Sequence, residues 1–250
     1  MPDRFNEKET WINYDPQGLI NEKITILETI IPSDVKTILD VGCGNGIITN
    51  RLSENWDVTG VDLSAEALSY LKCNKIQASA VSIPVQDESY DLVLSSEMLE
   101  HLSASDFVSA IIQFKRISRK YIIVSVPNNE NLAAAYARCP VCGYVFHAWQ
   151  HQQTFSKKKV IQAFQPEFKI SHIEFCGQTV KKWLPGLLTL KHALGQWMIP
   201  DKAPLCPLCG NRDFSPTSSN MLTKIINGIN YLFAGKKHYW IMAKYEKRAL

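Results

Sequence analysis

The sequence predicts an α/β chain built on one doubly wound, mostly parallel sheet with helices on both faces. Three observations predict it. Apolar runs of strand length, Thr37 to Val41, Asp57 to Val61, Tyr90 to Leu94 and Tyr121 to Val126, read as strands covered on both sides. Stretches with apolar residues at helical spacing alternate with these runs, the order that crossover connections need. The first run enters a glycine-rich turn, Gly42-Cys43-Gly44-Asn45-Gly46, which opens a helix from Ile47. Glycine lets that backbone turn sharply and come close to a ligand.

Taken in order, the segment through Tyr14-Asp15-Pro16 is polar with scattered aromatics and no period. Ile20, Ile24, Leu27 and Ile31 then recur at helical spacing until Pro32 ends the helix. The helix after the glycine turn runs to about Glu54. Strand Asp57 to Val61 ends on Asp62, about 20 residues past the first glycine, where dinucleotide folds place a ribose-binding acid. Ser64 is suited to cap a helix reaching Lys72, and Ile76 to Ala80 reads as a short strand. Phe107 to Ile117 is amphipathic, and Pro127 stops the fifth strand. Thr154-Phe155-Ser156 starts a helix with Val160, Ile161 and Phe164 on one face, followed by strands over Phe168 to Cys176 and Tyr239 to Tyr245.

Residues 1–176 and 238–250 therefore form a core, and 177–237, too long for a plain connection, an insertion between the last two strands. The insertion holds two amphipathic stretches, Leu187 to Met198 and Met221 to Phe233. Their stripes (Leu187, Leu190, Leu194, Trp197, Met198; Leu222, Ile225, Ile226, Ile229, Phe233) are expected to roof the ligand edge of the sheet. Lys224, Lys236 and Lys237 beside the second stripe suit peripheral membrane contact and a lipid-linked acceptor.

An apolar fraction of 46% with 20% charged residues describes an ordinary globular protein. A net charge of +3 is too small for a large phosphate footprint, which disfavours nucleic acid as partner. No apolar run reaches the ~20 residues of a membrane span, so a cytoplasmic chain without a transmembrane segment is expected.

At Leu39-Asp40-Val41-Gly42-Cys43-Gly44-Asn45-Gly46, Gly60-Val61-Asp62-Leu63-Ser64 and the block Ile83 to Leu102, the chain resembles the class I S-adenosylmethionine-dependent methyltransferases. The resemblance covers Ile20 to Asn128 well and implies a Rossmann-like sheet with an antiparallel last strand. It implies that S-adenosylmethionine is held by Asp40, Gly42, Cys43, Gly44, Asn45, Gly46, Asp62, Leu63, Ser79, Ala80 and Ser96, with the N-terminal segment as a lid. Asp62 would accept the ribose hydroxyls, and Asp40 would orient the glycine loop or the cofactor's amino group. The chain departs from the family at Ser79, where an acidic residue usually takes the adenine amino group.

Glu97, Glu100 and His101 follow the fourth strand, and on a helix they would share a face. A similar Glu-x-x-Glu-His in some related O-methyltransferases has been taken as a magnesium site; His101 is otherwise a candidate general base. Two Cys-Pro-x-Cys-Gly units, Cys139/Cys142 and Cys206/Cys209, have the spacing of zinc knuckles and together make a four-thiolate site. His147 or His151 could substitute as a ligand near the first, but substrate-side or surface roles suit them better. The function implied is methylation, most naturally on oxygen, of a small-molecule or carrier-linked acceptor. An RNA methyltransferase and a non-catalytic binding scaffold are the alternatives.

Overall fold

The computed structural model describes residues 4–12, 19–200, 205–214 and 220–248. Tyr14 to Pro16 lie outside them. A short helical turn and α1 (Lys8–Ile12) precede α2 (Leu19–Ile30), β1 (Thr37–Val41), α3 (Ile47–Leu52), β2 (Asp57–Asp62), α4 (Ala65–Leu68), β3 (Asn74–Gln77) and β4 (Tyr90–Ser96). Then come α5 (Ala104–Ile117), β5 (Ser118–Pro127), β6 (Tyr136–Arg138), β7 (Val145–His147), α6 (Lys157–Gln162), β8 (Phe168–Lys181), α7 (Leu187–Ala193), α8 (Met221–Phe233) and β9 (Lys236–Lys247).

Seven strands form one sheet in the order β3-β2-β1-β4-β5-β9-β8. β1 to β5 are mutually parallel, and β9 runs antiparallel to both β5 and β8. This is the Rossmann-like doubly wound sheet with an antiparallel last strand. The two-residue period of the strands sends neighbours to opposite faces. Leu39, Val93 and Ile122 join Phe114, Phe164 and Tyr245 on one side; Ile38, Leu92 and Ile123 join Leu27 and Leu52 on the other. Continuous apolar runs were the right signature because both faces are covered.

Ser64 and Ser156 cap α4 and α6 by accepting from the backbone three residues on, at 3.2 Å each. α4 stops at Leu68 rather than Lys72, and α7 stops at Ala193, since Gly195 has a φ of 78° that a helix cannot use. β8 and β9 run past their expected ends to Lys181 and back to Lys236, making a ribbon that extends beyond the other strands. The connection 182–235 leaves its tip with α7, the second Cys unit and α8. Of its two stripes, Leu222, Ile225, Ile229 and Phe233 are exposed, Ile226 is buried, and Trp197 and Met198 lie outside α7. Among the described residues, no helix is long and apolar enough to cross a membrane.

Candidate functional site

Strand order reverses between β1 and β4, so the turns that leave these two strands flank a crevice at the topological switch point. In the first turn, the Gly42 and Cys43 N–H groups donate to the Val61 carbonyl at 2.7 and 3.1 Å. Gly44 N–H donates to Asp62 Oδ2 and Ser64 N–H to Asp62 Oδ1, both at 2.9 Å. These bonds fix the Asp62 carboxylate against the loop at the end of β2. Gly44 sits at φ 54°, and a Cβ there would lie 2.9 Å from the Trp11 ring, so glycine is required on two counts. Asn45 Nδ2 donates to the Trp11 carbonyl at 3.0 Å, which ties α1 over the loop. Residues 4–12 thus pack over the glycine loop, with Trp11 only 7% exposed.

The other residues expected at the cofactor have distinct settings. Asp40 is buried and accepts from Thr49 Oγ1 of α3 at 2.7 Å, so it orients the helix that the glycine loop opens. Burial raises its carboxyl to about 7 despite that bond. Cys43 is half-buried, and desolvation pushes its thiol up. Leu63 is exposed at 64%, while Ser79 accepts from the Val81 N–H at 3.4 Å in the turn that precedes half-buried Ala80. Ser96 Oγ accepts from Lys23 Nζ at 3.2 Å. The glycine cradle, oriented carboxylate and overlying tryptophan fit an adenosyl cofactor. Replacing Asp62 by alanine is expected to weaken S-adenosylmethionine binding about 10- to 150-fold, as one or more bonds to a charged group are worth about 1.5–3 kcal/mol. Ser79→Ala should cost about 4- to 13-fold, by about half that energy. Calorimetric titration of both variants checks the order, and equal affinity of wild type and Asp62→Ala would remove Asp62 from the site.

The segment after β4 corrects an expectation. Glu97, Glu100 and His101 do not share a helix face: Glu97 adopts φ 56°, and only a 3-10 turn, Leu99–His101, follows. Glu97 turns to Lys23 Nζ, 3.2 Å away, and accepts from Trp240 Nε1 at 2.6 Å. That cation and indole satisfy its carboxylate, and the magnesium triad does not assemble. Glu100 is wholly buried, and neither carboxylate oxygen has a hydrogen-bond partner. Burial, with Glu97 adding repulsion, raises its carboxyl well above the usual range. His101 is driven down to about 3 by burial first and His151 second, which makes it a poor proton acceptor at neutral pH.

A pH dependence follows. A carboxyl raised in the folded state holds a proton that the unfolded chain gives up, so stability falls as pH rises through the gap. Asp40 opens that gap from 3.8 to about 7, and Glu100 opens one upward from 4.5. Glu130, held down at about 2, acts with opposite sign but only below its ordinary 4.5. His101, held down at about 3, and His147, also lowered, oppose this fall up to their ordinary 6.5, so the melting temperature of the uncomplexed protein should fall as pH rises from about 6.5. Glu100→Gln should flatten that slope and raise the melting temperature at its alkaline end, as scanning calorimetry across pH would show. An unchanged slope counts against a neutral Glu100.

Sequence reasoning missed the best proton acceptor. Gln152 and Gln153 N–H groups both donate to the Glu100 carbonyl, at 2.7 and 3.2 Å, and draw the 150–153 segment against the turn after β4. His151 thereby reaches His101, ring centroids 4.8 Å apart, while Phe5 of the lid covers His101 at 5.1 Å. His151 Nδ1 lies 2.6 Å from Glu130 Oε2. Although burial raises Glu130, hydrogen bonds from His147 and His151 bring it down to about 2, so it is an ionised acceptor. The hydrogen of His151 therefore sits on Nδ1, and its lone pair on Nε2. His147 Nδ1 accepts from the Trp149 and His151 N–H groups, leaving Nε2–H directed at Glu130 Oε1, 3.5 Å away. The signal available in the sequence was two histidines four apart after Cys142, with no hint that Glu130 joined them.

The four knuckle cysteines meet. Cys139 and Cys209 sulfurs are 3.7 Å apart, as are those of Cys142 and Cys206. A tetrahedron with ~2.3 Å metal–sulfur bonds has edges of about 3.8 Å, so the spacing fits one tetrahedral ion. The two units are built alike. Gly143 and Gly210, both at φ 74°, donate to the Cys139 and Cys206 carbonyls at 3.0 and 2.9 Å. The first forms the turn between β6 and β7; the second follows α7. Burial raises the Cys139 thiol, but backbone N–H groups of Cys142 and Val141 aimed at its sulfur bring it to about 7. His147 and His151 belong to the Glu130 group and not to this one.

With this geometry established, comparison with known proteins is informative. The family model described as "Methyltransferase domain" matches residues 39–122, from β1 through the middle of β5. The ubiquinone biosynthesis O-methyltransferase of Photobacterium profundum is 36% identical over 78 residues, which is 27% of this chain and 33% of the relative. The chain thus matches about a third of the length of such curated relatives. Among solved structures, the PH0226 protein from Pyrococcus horikoshii aligns with a TM-score of 0.57 at 12% identity, covering 92% of this chain and 89% of that one. A SAM-dependent methyltransferase from Methanosarcina mazei aligns at 0.54 and 16% identity, covering 90% and 98%. These likenesses speak to the fold. The matched residues include the glycine loop, Asp62 and the turn after β4; Glu130, His151 and all four knuckle cysteines lie beyond them.

Proposed function

We propose that the chain is an S-adenosylmethionine-dependent methyltransferase acting on a hydroxyl of a small-molecule or lipid- or carrier-linked acceptor. The observation that carries the oxygen assignment is the Glu130–His151 pair at 2.6 Å beside the turn after β4. A hydroxyl with a high pKa must lose its proton as it is methylated, and a carboxylate-oriented imidazole is suited to take it. The partial similarity to ubiquinone biosynthesis O-methyltransferases supports the same reading.

When bound, S-adenosylmethionine supplies an electrophilic sulfonium methyl. Asp62 would accept from the ribose hydroxyls, and the loop from Gly42 to Gly46, whose helix Asp40 orients, would hold the cofactor. Trp11 and Phe5 close the lid and exclude water. Nε2 of His151 accepts the acceptor's proton while Glu130 steadies the resulting imidazolium. Cys139, Cys142, Cys206 and Cys209 would hold Zn²⁺ in a closed, structural role, since all four positions are thiolates. All seven cysteines are unpaired, which suits a reducing compartment such as the cytoplasm.

The test is incubation of the protein with methyl-labelled cofactor and a small-molecule extract, with products read by mass spectrometry. A labelled methyl ether or ester supports the proposal. Label found only in RNA, or no turnover despite cofactor binding, would replace it with the RNA enzyme or the scaffold.

A further inference from the structure

Helix α8 is built inside out. Its buried residues are Thr223, Ile226 and Asn230, two of them polar. Asn230 Nδ2 donates to the Lys182 carbonyl and its Oδ1 accepts from the Leu184 N–H, both at 2.9 Å. Asn220 caps the start by accepting from Thr223 N–H at 2.9 Å, and Lys181 Nζ donates to the Tyr231 and Ala234 carbonyls at the other end. This narrow, hydrogen-bonded face fixes the helix to the β8–β9 ribbon. The adjoining side carries Met221, Leu222, Ile225, Ile229, Leu232 and Phe233, exposed by 78, 58, 49, 40, 73 and 73%. At 100° per residue these six fall in one arc about 120° wide. Leu190 of the neighbouring α7, 49% exposed, adds to the apolar surface.

The segment that carries this face is strongly basic. Residues 177–237 carry eight Lys or Arg and two Asp, a net +6 in a chain whose total is +3. Neither α7 nor α8 contains an acidic residue. Lys182, Lys224 and Lys236 are exposed, whereas Lys237 is turned inward to the Asn128 and Asn129 carbonyls. A contiguous apolar face of this kind marks an interaction surface. A second copy of the chain is a poor occupant, because a two-fold contact would set one basic segment against another.

We propose that α8 lies in the headgroup layer of an anionic lipid bilayer, with its six apolar side chains inserted and the exposed lysines on lipid phosphates. This reading is independent of the reaction. The folded core supplies the anchoring that an isolated interfacial helix gets from its own polar face, which explains why the buried side is the one with hydrogen bonds.

Sedimentation with vesicles tests it, using phosphatidylcholine alone or mixed with phosphatidylglycerol. The wild type should pellet with the mixed vesicles and far less with phosphatidylcholine alone. Ile225→Glu/Ile229→Glu should lower the vesicle partition coefficient by about tenfold or more, since each carboxylate must enter the apolar layer. Lys224→Glu/Lys236→Glu should abolish the preference for the anionic lipid. All four positions are exposed, and unchanged cofactor titration confirms that the variants are folded. Failure of the wild type to bind the mixed vesicles, or equal binding by the isoleucine variant, overturns the proposal. So does a wild-type dimer in sedimentation velocity that the isoleucine variant dissolves without any vesicle binding.

Discussion

Removing the His151 imidazole is expected to lower methyl transfer about 10²- to 10⁴-fold while leaving cofactor affinity within a few-fold of wild type. The size comes from the usual worth of a positioned proton acceptor, and the separation comes from location. His151 touches His101 and Glu130, and neither belongs to the glycine loop or to Asp62. Glu130→Gln should cost about 10²-fold or more by a different route. The amide can present its NH2 to Nδ1 of His151, which moves the ring hydrogen to Nε2 and turns the acceptor into a donor. Added imidazole should then restore part of the turnover in His151→Ala but not in Glu130→Gln, a difference that loss of packing would not produce. Single-turnover rates with labelled cofactor, alongside calorimetric cofactor titration, measure both parts. Undiminished turnover in His151→Ala would take the pair out of the chemistry and leave it a structural network.

Cys206→Ser/Cys209→Ser should have the largest structural effect of any surface-proximal pair. Elemental analysis should find about one zinc per wild-type chain and none in the variant. The reason lies in how little else holds the two knuckle segments together. Their shared apolar cluster is Ala137, Cys139, Phe146 and Cys206 with Phe214 packed against it, and two of the four buried members are themselves ligands. Metal binding in so small a unit is folding free energy. Residues 196–214 should become open to limited proteolysis in the variant. The seven-stranded sheet should keep its ability to bind cofactor, because its two cores are separate from this cluster. Zinc retained at one equivalent in the variant would assign the ion elsewhere.

The strands and the cofactor edge were legible in the sequence because they obey local rules. A strand covered on both faces must be apolar throughout, and Ile38-Leu39 and Leu92-Val93-Leu94 could not easily be anything else. Cys-Pro-x-Cys-Gly is likewise legible, since ligand spacing and the positive φ after it are properties of five consecutive residues. Side-chain direction after β4 was not. A left-handed Glu97 and a single 3-10 turn depend on Lys23 and Trp240, which arrive from α2 and β9. The Glu130–His151 pair, 21 residues apart, is closed by a hairpin whose turn is the first knuckle. α8 reads as an ordinary amphipathic helix, and its periodicity alone does not say which side turns to the protein. Two asparagines and a threonine decide that by bonding to their neighbours.

The position of β9 has a consequence for how the molecule is made. It is the last strand in sequence, yet it lies between β5 and β8. On the ribosome, β8 emerges with no neighbour to pair with, and all of 182–235 must follow before its partner exists. The five parallel strands can collapse first through contacts close in sequence, while the remaining edge waits on a distant one. During that wait β5 has an open backbone edge, and the nascent chain is at its most vulnerable to pairing with a neighbour's strand.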